Sequence, residues 1–274
     1  RHMTIKNTAW YLNNQNKALD LANDALYADN DAVAIYLAEC PARNNDDYAV
    51  EMWFRAEKEQ DDEVVYLFDT DAFGAALEEG KMVLYATQDD KTIMSMGNKS
   101  YNDGKWHHLA INVLRNGNTV AYVDGEAVGQ VASTSVPALQ TVWLHLGAQC
   151  YRPTISGVDE IKNKMRGEID EIRVWNATLN ANVIRDRMNQ RLQGDEPGLV
   201  AYYPFEAVTL DANSQVVTEA SALDMVTKRH SVAARKTTGS VLAYVDEAPA
   251  LKPAANVTNL NYSFVASDRG IVIE

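Results

Sequence analysis

Cysteine is scarce in this chain, with only Cys40 and Cys150 among 274 residues. Neither belongs to a C-x-x-C pair, so the spacing predicts no zinc ligation. The two could close one long loop, a disulfide worth roughly 4–5 kcal/mol in the chain-entropy model. They could equally be two small buried hydrophobes, and the sequence alone leaves both readings open. Long apolar runs are missing too. No stretch approaches the roughly 18 residues needed to cross a bilayer as a helix, so no membrane span is expected. Positive charge is also in short supply, with 25 Lys and Arg against 38 Asp and Glu and a formal net charge of −13. That excess repels phosphate backbones, which excludes nucleic acid as an expected partner, and it disfavours docking on anionic lipid. A signal peptide is not seen. The opening Arg1-His2-Met3 reads as an expression scar, so a natural leader is expected to have been removed.

What is present suits a globular β protein. Hydrophobic residues make up 46% and charged residues 23%, enough for a sizeable core under an ordinary polar surface. The clearest pattern runs from Trp106 to Gly125. Leu109, Ile111 and Val113 recur every second residue and share one face of a strand. Asn116-Gly117 accepts the positive φ angles of a tight hairpin turn, and Asp124-Gly125 repeats the signal. Residues 109–113, 119–123 and 126–131 are therefore predicted to form a three-stranded antiparallel meander.

Alternation predicts further strands at 33–40, 48–56, 64–68, 81–87, 93–96 and 142–148. In 48–56, Tyr48, Val50, Met52 and Phe54 share one face, while Ala49, Glu51, Trp53 and Arg55 share a more polar one. Periodicity lapses between 149 and 165, a loop-like insertion of a length that is often functional. One helix is predicted over 181–192, with Asn180 as N-cap, Ile184, Met188 and Leu192 as its apolar stripe, and Gly194 as its stop. Residues 207–274 read as a weakly patterned β extension, a linker or part of a second module.

Three motifs in order carry a family resemblance. Asp103-Gly104-Lys105-Trp106-His107-His108-Leu109-Ala110 with Tyr122-Val123-Asp124-Gly125 resembles the central signature of laminin-G-like jelly rolls, members of the concanavalin-A-like lectin/glucanase group. Gly167 to Asn176 resembles the late strand of that family, and Leu179 to Leu192 the short helix after it. Leu199 to Phe205 resembles its closing strand. The resemblance covers roughly residues 18–206. It implies an all-β antiparallel sandwich of jelly-roll type with one short helix over 1–206, followed by the β extension of 207–274. It also implies a secreted or cell-surface protein of several domains, in which this part is a non-catalytic module contacting a glycan or an extracellular protein. A structural spacer without a ligand is the alternative, and a glycoside hydrolase a third.

The hydrolase reading turns on Glu168-Ile169-Asp170-Glu171. Jelly-roll glucanases of the broad group place three carboxylates on one strand face, and retaining hydrolysis needs two of them about 5 Å apart. Here Ile172 occupies the third same-face position, and regular alternation puts Glu171 on the opposite side. No enzyme activity is therefore expected. In relatives, the carboxylate matching Asp170 and one near the opening strand, matching Asp20, often hold calcium. The resemblance therefore implies a calcium site at Asp20 and Asp170, although Ala22 and Asn23 stand where a further Asp is common.

His107 and His108 point to opposite faces of one strand and cannot jointly hold an ion. The expected fate of such histidines is packing beside Trp106. Trp53, Trp106, Trp143 and Trp175 fall inside or at the ends of strands, where core packing is usual. Tyr151 and Arg152, in the insertion, are the candidate ligand-binding residues, because loops carry function more often than framework does. Asn98, Asn176, Asn256 and Asn261 begin N-x-S/T sequons, which matter only where the host glycosylates.

Overall fold

The structure, a computed structural model, describes residues 16–22, 32–37, 46–139, 143–152, 160–205, 221–227, 230–232, 242–252, 264–267 and 270–273. Cys40, Asn23, Asn256 and Asn261 lie outside them, as does the Cys40–Cys150 pairing.

The strands are β1 (Ala18–Asp20), β2 (Val33–Tyr36), β3 (Tyr48–Ala56), β4 (Val64–Asp69), β5 (Phe73–Glu78), β6 (Lys81–Ala86), β7 (Lys91–Ser100), β8 (His107–Val113), β9 (Asn118–Val123) and β10 (Glu126–Ala132). After a short 3-10 turn follow β11 (Trp143–Leu146), β12 (Gln149–Tyr151), β13 (Glu160–Lys162) and β14 (Gly167–Trp175). Helix α1 (Ala181–Arg187) leads to β15 (Leu199–Tyr203), β16 (Ser221–Leu223), β17 (His230–Val232), β18 (Ala243–Val245), β19 (Phe264–Ser267) and β20 (Gly270–Ile273).

Two antiparallel sheets face each other. The first runs β10-β9-β8-β3-β14-β1-β18, with β15 sharing an edge of β14 with β1. The second runs β2-β11-β4-β5-β6-β7. Period-two alternation fills the space between them. Tyr48, Val50, Met52 and Phe54 of β3, with Leu109, Ile111 and Val113 of β8, meet Phe73, Ala75 and Leu77 of β5 and Leu144 and Leu146 of β11 in one buried cluster. This is the jelly-roll sandwich that the alternation and the resemblance predict.

Two β-bulges shape the outer faces. On β14 the register shifts between Asp170 and Arg173, with Glu171 at φ 54°. Ile169 and Ile172 both reach the core, three residues apart, and Glu171 turns to the same outer face as Arg173. This corrects the expectation from strict alternation, because one extra residue inverts every face assignment after it. On β4 the register shifts between Tyr66 and Phe68. Leu67 and Phe68 are both in the core, which leaves Asp69 facing outward.

Other corrections concern local pairing. Residues 73–78, outside the strands that alternation predicts, form β5. Gly74 permits this, because a Cβ there would lie 2.5 Å from the ring of Tyr66. The insertion at 149–165 holds a hairpin of β12 and β13. Helix α1 ends at Arg187 rather than near residue 192. Asn180 does cap its start, accepting from the Asn182 amide. The helix stops early because the carbonyls of Arg187, Met188 and Gln190 turn to side chains of the first sheet.

Beyond residue 206, β18 adds to the first sheet beside β1, and Asp224 accepts from the amide of Tyr202. β16 pairs with β17 and β19 with β20. Among the described residues no helix is long and apolar enough to cross a membrane.

Candidate functional site

The outer face of the first sheet is polar in sequence and closed in structure. Glu51, His108, Glu171 and Arg173 are all buried there, with Trp53, Trp175 and Tyr202. Arg173 donates to Glu171 at 2.9 Å and to the carbonyls of Arg187 and Gln190. The Tyr202 hydroxyl donates to Glu171 at 2.8 Å, the Trp175 indole to Glu51 at 2.7 Å, and the Trp53 indole to the Met188 carbonyl at 2.7 Å. Burial raises the pKa of Glu51 against the opposing pull of Arg173. Burial, reinforced by Arg173, pushes His108 down to about 3, so its ring is neutral. Burial opposes the charge on Arg173, but Glu171 and Glu51 keep it firmly protonated. Water and substrate have no access to these carboxylates, and the network clamps α1 and the segment after it onto the sheet.

The outer face of the second sheet carries a more open corner. It is built by the β4–β5 turn, the β6–β7 turn and β12, and Asp69 organises it. One Asp69 oxygen accepts from the Asp71 amide (2.9 Å) and the Thr87 hydroxyl (2.6 Å), and the other from the Cys150 amide (2.7 Å). Burial pushes Asp69 up to about 7, against the lowering effect of these bonds. Asp71 sits at φ 68°, a left-handed conformation that Asp tolerates better than most residues. The Thr70 hydroxyl, bonded to Phe73, holds the turn.

Two glutamines stitch the three segments together. Gln149 donates to the Thr87 carbonyl and to Asp90, and Gln88 donates to the Asp71 carbonyl. The Arg152 amide donates back to Gln88.

This corner collects both candidate ligand-binding residues. Tyr151 ends β12, with the Lys162 ammonium 4.2 Å from its ring centroid. Arg152 pairs with Asp71 at 2.9 Å while half of its side chain stays in solvent. Asp90 lies 3.6 Å from Lys162. Cationic and anionic groups therefore alternate along an accessible rim beside one aromatic ring. The residues that sequence reasoning missed here are Asp69, Asp71, Gln88, Asp90, His145 and Gln149. Of these, only His145 falls in a strand that alternation predicts, at 142–148.

The two carboxylates expected to bind calcium sit at the other sheet. Asp20 on β1 lies opposite Glu168, two positions along β14 from Asp170. Asp20 accepts from the Ala22 amide at 2.9 Å, and the buried Asp170 accepts from the Glu171 amide at 2.8 Å. Glu168 between them is engaged by Arg55 at 2.9 Å. His107 and His108 do point apart. His107 bonds Asp124 and Asp103, and the His108 ring packs edge-on against Trp53 rather than Trp106.

A two-sheet sandwich with a closed polar face on one side and a polar, loop-built rim on the other defines a jelly roll of the concanavalin A-like type. The chain belongs to the Laminin_G_3 family of the concanavalin A-like lectin/glucanases superfamily, matched over residues 28–185. A comparison with curated proteins finds no match. Among solved structures, a candidate carbohydrate-binding protein from Bacteroides ovatus ATCC 8483 is similar at 14% identity and TM-score 0.59. That match covers 91% of this chain, and the chain spans only 63% of that protein's length. A heptameric SAP-like pentraxin from Limulus polyphemus is 15% identical at TM-score 0.38, covering 57% of this chain and 70% of that one. Domain 4 of a Geobacillus stearothermophilus extracellular arabinanase, solved with arabinotriose, is 19% identical at TM-score 0.37, covering 52% and 66%.

Proposed function

We propose that this chain is a non-catalytic recognition module that binds a glycan, or a glycan-bearing extracellular protein, through the rim at Tyr151 and Arg152. The observation that carries the reading is the convergence of Tyr151, Arg152, Asp71, Gln88, Asp90 and Lys162 on one accessible corner. A polyhydroxylated ligand needs alternating donors and acceptors beside an apolar ring, and this corner supplies them on a scaffold fixed by buried hydrogen bonds. The similar Bacteroides ovatus protein, a candidate carbohydrate-binding protein, agrees with this reading. The sealing of Glu51 and Glu171 under α1 supports a non-catalytic role. The family supports a place in a longer secreted or surface protein. Calcium at Asp20 and Asp170 belongs to the same proposal. Two carboxylates supply only part of the six to eight oxygens the ion takes, so backbone oxygens or water would complete the set.

The test is binding of a polysaccharide and oligosaccharide panel by calorimetry, comparing the unaltered chain with Tyr151→Ala and Arg152→Ala. Each variant is expected to bind at least about tenfold more weakly, as truncation of a contact residue does, with an unchanged unfolding midpoint. Equal affinity in all three would remove this corner from the reading. Calcium is tested separately: an ion held at Asp170 raises the unfolding midpoint relative to chelator, and identical midpoints remove it.

A further inference from the structure

We propose that Asp71, His145 and Cys150 form a mononuclear site for a borderline-soft divalent cation, zinc foremost. Their ligand atoms all lie within 4.8 Å of one another, the only such group of three or more His, Cys, Asp or Glu among the described residues. One pair already has the spacing of a metal site. A His145 ring nitrogen is 3.4 Å from an Asp71 oxygen, and ligands on a tetrahedral zinc ion, at about 2.0–2.3 Å from the metal, lie about 3.3–3.8 Å apart. The Cys150 sulfur has to close by about 1 Å or less to complete the set.

The donor types decide which ion. Thiolate and imidazole disfavour calcium and magnesium, which take hard oxygen ligands, and suit zinc and its neighbours. Calcium at Asp20 and Asp170 is a separate matter, because those residues lie on the other sheet.

The backbone holds the three ligands in place. The buried Asp69 carboxylate accepts from the amides of both Asp71 and Cys150, and Asp69 is the cross-strand partner of His145. One residue thus ties together three segments that the sequence keeps apart. The Asp71 oxygen remote from His145 accepts from Arg152, the kind of outer contact that orients a ligating carboxylate. His145 and Cys150 are fully buried and Asp71 is near the surface. The ligating oxygen of Asp71 and both ring nitrogens of His145 are themselves buried, so an ion here would be held below the rim. Three protein ligands with one open position is an arrangement that leaves the metal able to bind water or a ligand oxygen. On binding, the Cys150 thiol gives up its proton to solvent and becomes the thiolate ligand. The C-x-x-C rule looks for neighbours in sequence, and here the sheet supplies the neighbours.

The test is titration of the chelator-treated, reduced full chain with Co2+ and then Zn2+. The expected result is a cobalt–thiolate charge-transfer band with tetrahedral visible absorption, saturating at one ion per chain and abolished by one equivalent of zinc. Cys150→Ser should lose the charge-transfer band. His145→Gln should weaken zinc binding by at least about tenfold, a typical loss for a disturbed metal site. Absence of the band in the unaltered chain overturns the proposal without recourse to any variant. So does a band that survives Cys150→Ser, because it would then belong to Cys40, and so does equal zinc affinity in all three proteins.

Discussion

Glu171 and Arg173 are two residues apart on one strand, and their charged groups meet at 2.9 Å on the same face, both sealed from solvent. The bulge between Asp170 and Arg173 turns both to the outer face instead of the core. Removing the carboxylate leaves a buried guanidinium poorly compensated. Glu171→Ala is therefore expected to destabilise the chain by about 3–5 kcal/mol, read from urea unfolding. Replacing Glu51, Glu171 and Arg173 together by apolar residues of similar volume should cost much less, because no charge is then stranded. A Glu171→Ala midpoint equal to that of the unaltered chain would contradict the clamp.

The Asp103–His107–Asp124 triad should impose a stability window in pH. Burial lowers the pKa of His107, but the two aspartates outweigh it and raise it above its ordinary 6.5. The His107 contribution is therefore present in full below pH 6.5 and lost as pH rises through the elevated value. Burial raises Asp103 and Asp124, but bonds from His107 outweigh it and lower both below 3.8. Their contribution is present above 3.8 and lost as pH falls through the depressed values. The triad thus stabilises most between the two limits. Nuclear magnetic resonance titration should place the His107 midpoint above 6.5 and show it falling in Asp124→Asn. The His108 ring should stay neutral down to about pH 3.

Trp53 fastens the segment after α1 to the sheet through its indole N–H on the Met188 carbonyl. Trp53→Phe keeps most of the ring and removes the donor. The expected cost is about 1 kcal/mol, together with faster amide hydrogen exchange over residues 181–193. Unchanged exchange there would show that Arg173 alone holds the segment.

Asp170 secures the left-handed residue beside it by accepting from the Glu171 amide. Asp170→Ala is expected to lower the thermal midpoint, with a loss of about 1–3 kcal/mol for a buried amide left without this acceptor. Asp170→Asn keeps a carbonyl oxygen there and should lose less. If both variants melt with the unaltered chain, the carboxylate has no role in holding the bulge.

The sandwich was legible because alternation reports burial directly. Tyr48, Val50, Met52 and Phe54 read as a core face and are one, and Asn116-Gly117 reads as a turn between strands and is one, although neither residue takes the positive φ expected of it. Glu171 was misassigned because a bulge changes the face of every residue after it without any mark in composition. The helix was drawn too long because Met188 and Leu192 continue its apolar stripe. What ends the helix is the demand of Arg173 and Trp53 for carbonyls, which local sequence does not show. Tyr151 and Arg152 stood out as residues of an unpatterned insertion. The corner around them did not, because Asp71, Asp90 and His145 come from three turns and strands that only the closed sheet brings together.

The three residues of β1 lie between β14 and β18, so Leu19 pairs with both Ile169 and Tyr244. Among the described residues, β1 finds its first partner only when β14 has been made, and its outer edge stays bare until β18 emerges. Closing long loops is slow, since entropy is lost before the distant contacts reward it. Until β18 docks, the outer edge of β1 is an unpaired ladder open to other chains. The segment at residues 243–245 therefore covers an edge that would otherwise stay open to aggregation.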